Sequence, residues 1–299
     1  MKSPRRRGRG GISRVGLVTR YTSAEALALS KRLDRTLTRR GLTVVHDVES
    51  APARGAGGGG APRTQIAGMV DMVITLGGDG TLLSVARHPA GDVPVLGVDI
   101  GTLGFLTACG PEEFEPVLDA ALEGRAPIEK RRLLSVTVVD DGKPARRYRV
   151  VNDAVLGKSA LSRIAGIRVE VDGEMVLRYR GDGLIVSTPT GSTAYNLSAG
   201  GPILEPSMPA IVISPICPHT LSLRPLVLPD SVRLGLAVEN DPSDVYLTLD
   251  GQEGYPVGSL TRITIARAPE TVSLVRAPGR TFFDVLAGKL SFGGERENA

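Results

Sequence analysis

Gly77-Gly78-Asp79-Gly80-Thr81 is the first stretch of this chain whose residue types could do chemistry. Before it, residues 70–75 form an apolar, β-branched run that predicts a buried parallel strand. After it, residues 81–87 can carry a helix. A strand that ends in glycines and turns into a helix presents backbone N–H groups at a helix N-terminus. Glycines at positive φ would let those groups cradle phosphate oxygens. Gly77, Gly78, Gly80 and Thr81 are therefore candidate phosphate-binding residues. Asp79 stands out, because a carboxylate beside phosphates is repelled unless it has a task. Two tasks suit it, taking a proton from an attacking hydroxyl or touching a bound Mg²⁺. The plainer alternative is a tight turn with Asp79 as a helix cap.

A second stretch runs from Arg180 through Asp182 to Tyr195. Here an apolar strand is flanked by a carboxylate on one side and by Thr188, Thr190, Ser192 and Thr193 on the other. Ser192, Thr193 and Tyr195 offer donors and acceptors to a sugar or a base edge, and Tyr195 offers a ring to stack. Asn152-Asp153 ends a further strand and could hold a ribose through its amide and carboxylate. Other nucleotide signatures are absent. Gly157-Lys158-Ser159 resembles the end of a Walker A loop, but Asn152 stands where its first glycine belongs. No strand–GxGxxG–helix unit and no GxSxG elbow occurs. His46, His88 and His219 are scattered and form no ligand pair.

The elements that must position these residues follow from the hydrophobic pattern. A strand at residues 14–18, a helix capped by Ser23 with the stripe Ala26, Leu29, Leu33 and Leu37, and strands at 42–45, 72–76 and 94–98 alternate as in a parallel sheet covered by helices. Ligands in such sheets collect at the carboxyl ends of strands, where Asp79 falls. Residues 51–62 are so rich in glycine that a mobile loop is expected. Gly101, Gly104 and Phe105 mark a second loop off a strand end, and Pro111 opens a helix bearing Phe114, Leu118 and Leu122. From residue 132 onward short strands dominate, at 133–139, 148–151, 164–171, 175–180, 245–249, 260–266 and 271–275. Asp141-Gly142 and Asp172-Gly173 read as hairpin turns. Residues 281–290 look helical. The expected fold is an α/β N-terminal domain with a Rossmann-like parallel sheet, an all-β, sandwich-like C-terminal domain, and a final helix returning to the first domain. The expected bounds are a disordered basic tail at 1–13, then 14–125, 126–278 and 279–299.

Composition narrows the function. The 299 residues are 41% hydrophobic, with a net charge of only +4, and Arg5, Arg6, Arg7 and Arg9 all lie in the tail. With 0 Trp and 4% aromatics there is little material for a base-stacking surface, so no nucleic-acid partner is expected. No apolar run reaches membrane-spanning length, and no membrane partner is expected. Cys109 and Cys217 match no metal or disulfide spacing, which suits a cytoplasmic protein.

Taken together, these stretches resemble the NAD kinase family. The resemblance is carried by GGDGT at 77–81, ND at 152–153, DGLIVSTPTGSTAYNLSAGGPI at 182–203, ISPICPHTLSLRPLVLPD at 213–230 and LDGQE at 249–253. The stretch at 182–203 is the specific one, since lipid kinases and phosphofructokinases share GGDGT. The resemblance implies phosphorylation of the 2′-hydroxyl on the adenosine ribose of NAD. The donor would be ATP, another nucleoside triphosphate or polyphosphate, with Mg²⁺ or another divalent metal as cofactor. It implies Asp79 as the proton acceptor. It implies NAD contacts from Asp79, Gly80, Asn152, Asp153, Arg163, Arg180, Asp182, Thr193, Ala194, Tyr195, Asn196, Leu197, Ser198 and Gln252. Many relatives carry Asn-Glu where this chain has Asn152-Asp153, so its carboxylate is one methylene shorter. The family also implies a homo-oligomer, a dimer or tetramer. Two alternatives remain at this level. A lipid or diacylglycerol-type kinase would need an amphipathic membrane-facing helix, which the sequence lacks. A non-catalytic nucleotide-binding regulator could lose the base, yet Asp79 is present.

Overall fold

A computed structural model of the chain describes residues 11–55, 60–158, 165–239 and 245–290. Residues 1–10, which hold most of the expected basic tail, and Arg163 lie outside the described residues. The chain divides into two compact units, residues 1–129 with 273–299, and residues 130–272.

The first unit contains β1 (Arg14–Thr19), α1 (Ala24–Arg39), β2 (Thr43–His46), α2 (Ala51–Arg54), α3 (Arg63–Ile66), β3 (Met72–Gly77), α4 (Asp79–Ala86), β4 (Pro94–Asp99) and α5 (Phe114–Leu122). Strands β2, β1, β3 and β4 pair in that order, all parallel. Every residue of β3 is buried, which is why its sequence is continuously apolar rather than alternating. Ser23 caps α1 by accepting the Ala26 N–H, and Ala26, Leu29, Leu33 and Leu37 face the sheet core beside Leu17, Ile74 and Leu96. Full burial of side chains of this size contributes about 1.5–3 kcal/mol each.

Two expectations change here. Residues 51–62 are not loop throughout: α2 occupies the first part, and Ala61 is buried, its N–H donating to the His46 carbonyl. The cause is Asp47, fully buried, whose carboxylate accepts from Thr19 N–H, from Ser50 N–H and hydroxyl, and from Arg63 Nε. The packed chain also starts before Arg14. Ser13 donates its N–H and its hydroxyl to Asp71, and its carbonyl accepts from Thr43 N–H. Truncation is therefore expected to be harmless only as far as residue 10. Removing residues 1–10 should leave melting temperature and activity unchanged, whereas removal of Ser13 should lower the melting temperature. A thermal melt and an activity assay on both truncations check this.

The second unit is a sandwich of two sheets. Its strands are β5 (Ile128–Val139), β6 (Arg146–Val150), β7 (Asp153–Lys158), β8 (Ala165–Val171), β9 (Glu174–Gly181), β10 (Gly183–Ser187), β11 (Ala210–Ile216), β12 (Leu226–Pro229), β13 (Leu234–Glu239), β14 (Val245–Leu249), β15 (Glu253–Pro256) and β16 (Arg262–Val275), the first and the last crossing the unit boundary. One sheet orders β12-β11-β10-β7-β14-β15, and β13 lies between β8 and β16 in the other. Their inner faces share one apolar core, including Leu156, Val186, Ile213, Leu236 and Ile263. Both Asp-Gly turns close hairpins as read, with Gly142 at φ 68°, Asp172 at 52° and Gly173 at 90°.

The two strands expected at 260–266 and 271–275 are the single β16, which pairs with β13 near Ile263 and Ile265 and with β4 at Ser273 and Leu274. The chain accordingly joins the first unit from Ser273, earlier than the expected bound at 279. The first division falls at 129 rather than 125. The final helix, α6 (Phe282–Leu290), belongs to the first unit as expected. Thr281 and Asp284 cap it reciprocally, each accepting the other's N–H.

Candidate active site

In the first unit the glycine loop does not use the positive φ that its sequence invites. Gly78 is extended at φ −106°, and Gly77 and Gly80 are likewise outside the positive-φ set. Gly77 is glycine for space, since a Cβ there would collide with the Thr81 hydroxyl. The absence of that Cβ lets the first turn of α4 close directly against the end of β3. Gly78 holds the N-cap position, with its carbonyl accepting from Thr81 and Leu82, and Gly80 is exposed beside it.

Asp79 opens α4, and its carboxylate is held by the loop that follows β4. Oδ2 accepts from Phe105 N–H at 2.9 Å, and Oδ1 from Leu106 and Thr107 N–H at 3.1 and 3.2 Å. A second carboxylate, the buried Asp99 at the end of β4, staples the same loop through Gly101 N–H and the Thr107 hydroxyl. Buried Arg276 braces it further by donating to the Phe105 carbonyl. Gly104 is where the loop comes closest, because a Cβ there would fall on the Asp79 carboxylate. The sequence marked this loop by its glycines but assigned it no part in the site. Its amides compensate the carboxylate's charge and fix its direction.

The second unit carries a candidate pocket of its own. A pocket of about 390 Å³ is lined by Asn152, Asp153, Val155, Ala194, Tyr195, Thr248, Asp250 and Gly251. Tyr195 is 47% exposed, which leaves its ring available to a ligand. It starts a helical turn, residues 195–198, that also carries Leu197 and Ser198 and follows a 3₁₀ turn ending at Thr193. Gly191 is glycine because a Cβ there would strike the Asn152 backbone. Asp153 is buried, and desolvation together with the neighbouring Asp250 charge raises its carboxyl pKa to about 7. Asp250 was missed as a site residue, although its Asp-Gly pair is the same signal that marked the two hairpins. Its φ of 49° and that of Gly251 at 65° make the turn between β14 and β15.

Other expected contacts lie elsewhere. Ser187 pairs with Asp153 and Gly183 with Gly157, so Asp182 sits at the opposite end of β10 from the pocket. There it faces Lys158 at 3.5 Å, close to exposed Arg180 at the end of β9. Asn196 is fully buried and its amide is committed to the framework, donating to the Ser192 and Pro202 carbonyls and accepting from the Ser214 hydroxyl. Gln252 is exposed and donates its N–H to the Leu249 carbonyl.

Among the described residues no group of three or more His, Cys, Asp or Glu side chains is placed to hold a metal ion. Nor is any helix among them long and apolar enough to cross a membrane.

The family model for the ATP-NAD kinase N-terminal domain matches residues 60–126, and that for the ATP-NAD kinase C-terminal domain matches residues 151–277. The chain is 41% identical to an NAD kinase of Solibacter usitatus over 283 residues, 94% of this chain and 98% of the relative. It is 40% identical to one of Syntrophotalea carbinolica, again over 94% of this chain and 99% of the relative. Among solved structures, an NAD kinase from Archaeoglobus fulgidus in complex with ATP has a TM-score of 0.75 at 26% identity, covering 93% of this chain and 98% of that one. A yeast NADH kinase complexed with NADH has a TM-score of 0.88 over 97% of this chain and 91% of that one. At 24% identity it speaks for the fold alone.

Proposed function

The chain belongs to the NAD kinase family and acts as an NAD kinase, and on that premise we propose that Asp79 is its proton acceptor and the Tyr195 pocket its nucleoside site. The observation that carries the reading is the Asp79 carboxylate, set at the mouth of the glycine loop and oriented by three backbone amides. A ribose hydroxyl is a poor acid, and phosphoryl transfer passes through a loose transition state. Positioning and charge neutralisation then supply most of the rate. The 2′-oxygen forms its bond to the γ-phosphorus of ATP, the bond to the leaving diphosphate breaks, and the hydroxyl proton passes to Asp79.

The donor phosphates lie against Gly77, Gly78, Gly80 and Thr81 in this reading. A divalent cation such as Mg²⁺, held by the donor's own phosphates, would neutralise their charge at the glycine loop. In the second unit, Tyr195 stacks on the nucleoside, and Asn152 and Asp153 face the ribose. Thr193, Ala194, Leu197 and Ser198 border the same turn, and Asp182, Arg180, Gln252 and Arg163 stand as further contacts on the family's pattern. The Asn196 side chain shapes that turn from below. We also infer a cytoplasmic homo-oligomer, dimer or tetramer. Free Cys109 and Cys217, and exposed Met175 and Val176 on strand β9, support those two inferences. A monomeric mass by light scattering, or an extracellular location by cell fractionation, would refute them.

The test is incubation of the purified protein with NAD, Mg²⁺ and either ATP or polyphosphate, followed by assay of NADP. Appearance of NADP with ATP is expected, and its absence with both donors rejects the reading. Tyr195→Ala should raise KM for NAD much more than it lowers kcat, because stacking is made in ground and transition states alike. The expected loss is about 1–3 kcal/mol, the scale of base–aromatic stacking. An unchanged KM would remove Tyr195 from the site.

A further inference from the structure

We propose that Asp250 is a positioning residue whose carboxylate fixes the shape and the charge of the nucleoside pocket by capping the backbone of residues 151–153. The geometry is specific. Oδ1 of Asp250 accepts from Asn152 N–H at 2.7 Å, from Val151 N–H at 3.1 Å and from Asp153 N–H at 3.2 Å, while Oδ2 accepts from Val151 N–H at 3.0 Å. In return the Asp250 N–H donates to the Asp153 carbonyl at 2.9 Å. Three consecutive amides therefore converge on one carboxylate that is itself 7% exposed. That concave backbone is an anion nest filled by the protein's own side chain. It sets where the Asn152 amide and the Asp153 carboxylate project into the pocket. The strained φ of Asp250, +49°, is the conformation that delivers its carboxylate there.

The same placement puts two carboxylates beside one cavity. The titratable groups that line the pocket beside Asp153 are Asp250 from the β14–β15 turn and Tyr195 from the helical turn. Burial raises the Asp153 carboxyl first, and the Asp250 charge adds to it, which together bring it to about 7. A ribose hydroxyl donates to the ionised carboxylate, so NAD affinity rises as the pH climbs through about 7. Removing the Asp250 charge lowers the Asp153 pKa and moves that rise to lower pH.

This inference rests on the assignment of the pocket to NAD, and the experiment separates the two. The Asp153 carboxyl is titrated by carbon NMR in the ligand-free protein, assigned through Asp153→Asn, in wild type and in Asp250→Asn. NAD affinity and the KM-against-kcat split are then measured across pH for Asp250→Asn and Asp250→Ala. Asp250→Asn keeps one acceptor oxygen, so its KM should rise only a few-fold while its pH profile shifts downward. Asp250→Ala strands three amides, and KM should rise on the order of 10- to 100-fold with kcat much less affected. An Asp153 titration that does not move in Asp250→Asn overturns the proposal. If the titration moves while NAD affinity is the same in both variants, Asp250 still governs the pocket and the assignment of that pocket to NAD is what fails.

Discussion

Asp79→Asn is expected to lower kcat by roughly 10²–10⁴-fold, the usual scale of general-base assistance. The amide has nearly the same shape, but it cannot take the ribose proton. The cradle makes the substitution less innocent than isosterism suggests. With its oxygen kept toward Leu106 and Thr107, the new NH₂ group faces the Phe105 N–H, and one hydrogen bond of the three is lost. An unpaired donor costs about 1–3 kcal/mol where it is buried, and less at this half-buried position. The variant should therefore fold and melt slightly below wild type. NAD affinity should barely change, because the nucleoside site proposed above lies in the second unit around Asn152 and Tyr195. Steady-state kinetics and calorimetric NAD binding on both proteins check this. A near-normal kcat would return Asp79 to the role of a turn residue, and loss of NAD binding in a folded variant would make it a recognition residue.

Gly104→Ala should reproduce much of that defect without touching a catalytic group. The added methyl would occupy the space of the Asp79 carboxylate, so either the loop or the carboxylate must move. Displacement of a reacting group by about 1 Å can cost on the order of 10²-fold, and kcat should fall by about that factor while KM for NAD stays near its original value. Overpacking of this kind costs about 1–3 kcal/mol of stability. Gly110→Ala is the matched control, because a Cβ at that position meets nothing within 4 Å. The control should retain full activity. A fully active Gly104→Ala would show that the Asp79 direction is not set by this loop.

Much of the architecture was legible because its signals are local. The stripe of α1, the continuous burial of β3 and the Asp-Gly hairpins each depend on residues a few positions apart. Strands β7, β11, β12, β13 and β15 do not stand out as strands in the sequence, although β13 alternates strictly with Leu234, Leu236 and Val238 buried. Strand β16 was split in two because its Ala268-Pro269-Glu270 segment reads as a break. In the sheet it is held by partners far away in the chain, which no local pattern announces.

From its residue order alone, this protein is committed to an α/β unit and a β unit, to a strand–glycine–helix turn carrying Asp79, and to a hydroxyl-rich turn carrying Tyr195, because spacing and residue type decide such features over a few residues. The tertiary structure decided which groups those residues meet. Asp79 takes its amides from a loop whose first donor, Phe105, lies 26 positions later, and the Asn152 turn is capped by a carboxylate 98 positions away. It also decided why the glycines are glycines, since Gly77 and Gly104 answer to the bulk of Thr81 and Asp79 rather than to any left-handed φ. Such requirements arise where separate strand ends are brought within hydrogen-bond distance. That distance is a property of the packed sheets, and nothing in the neighbouring sequence encodes it.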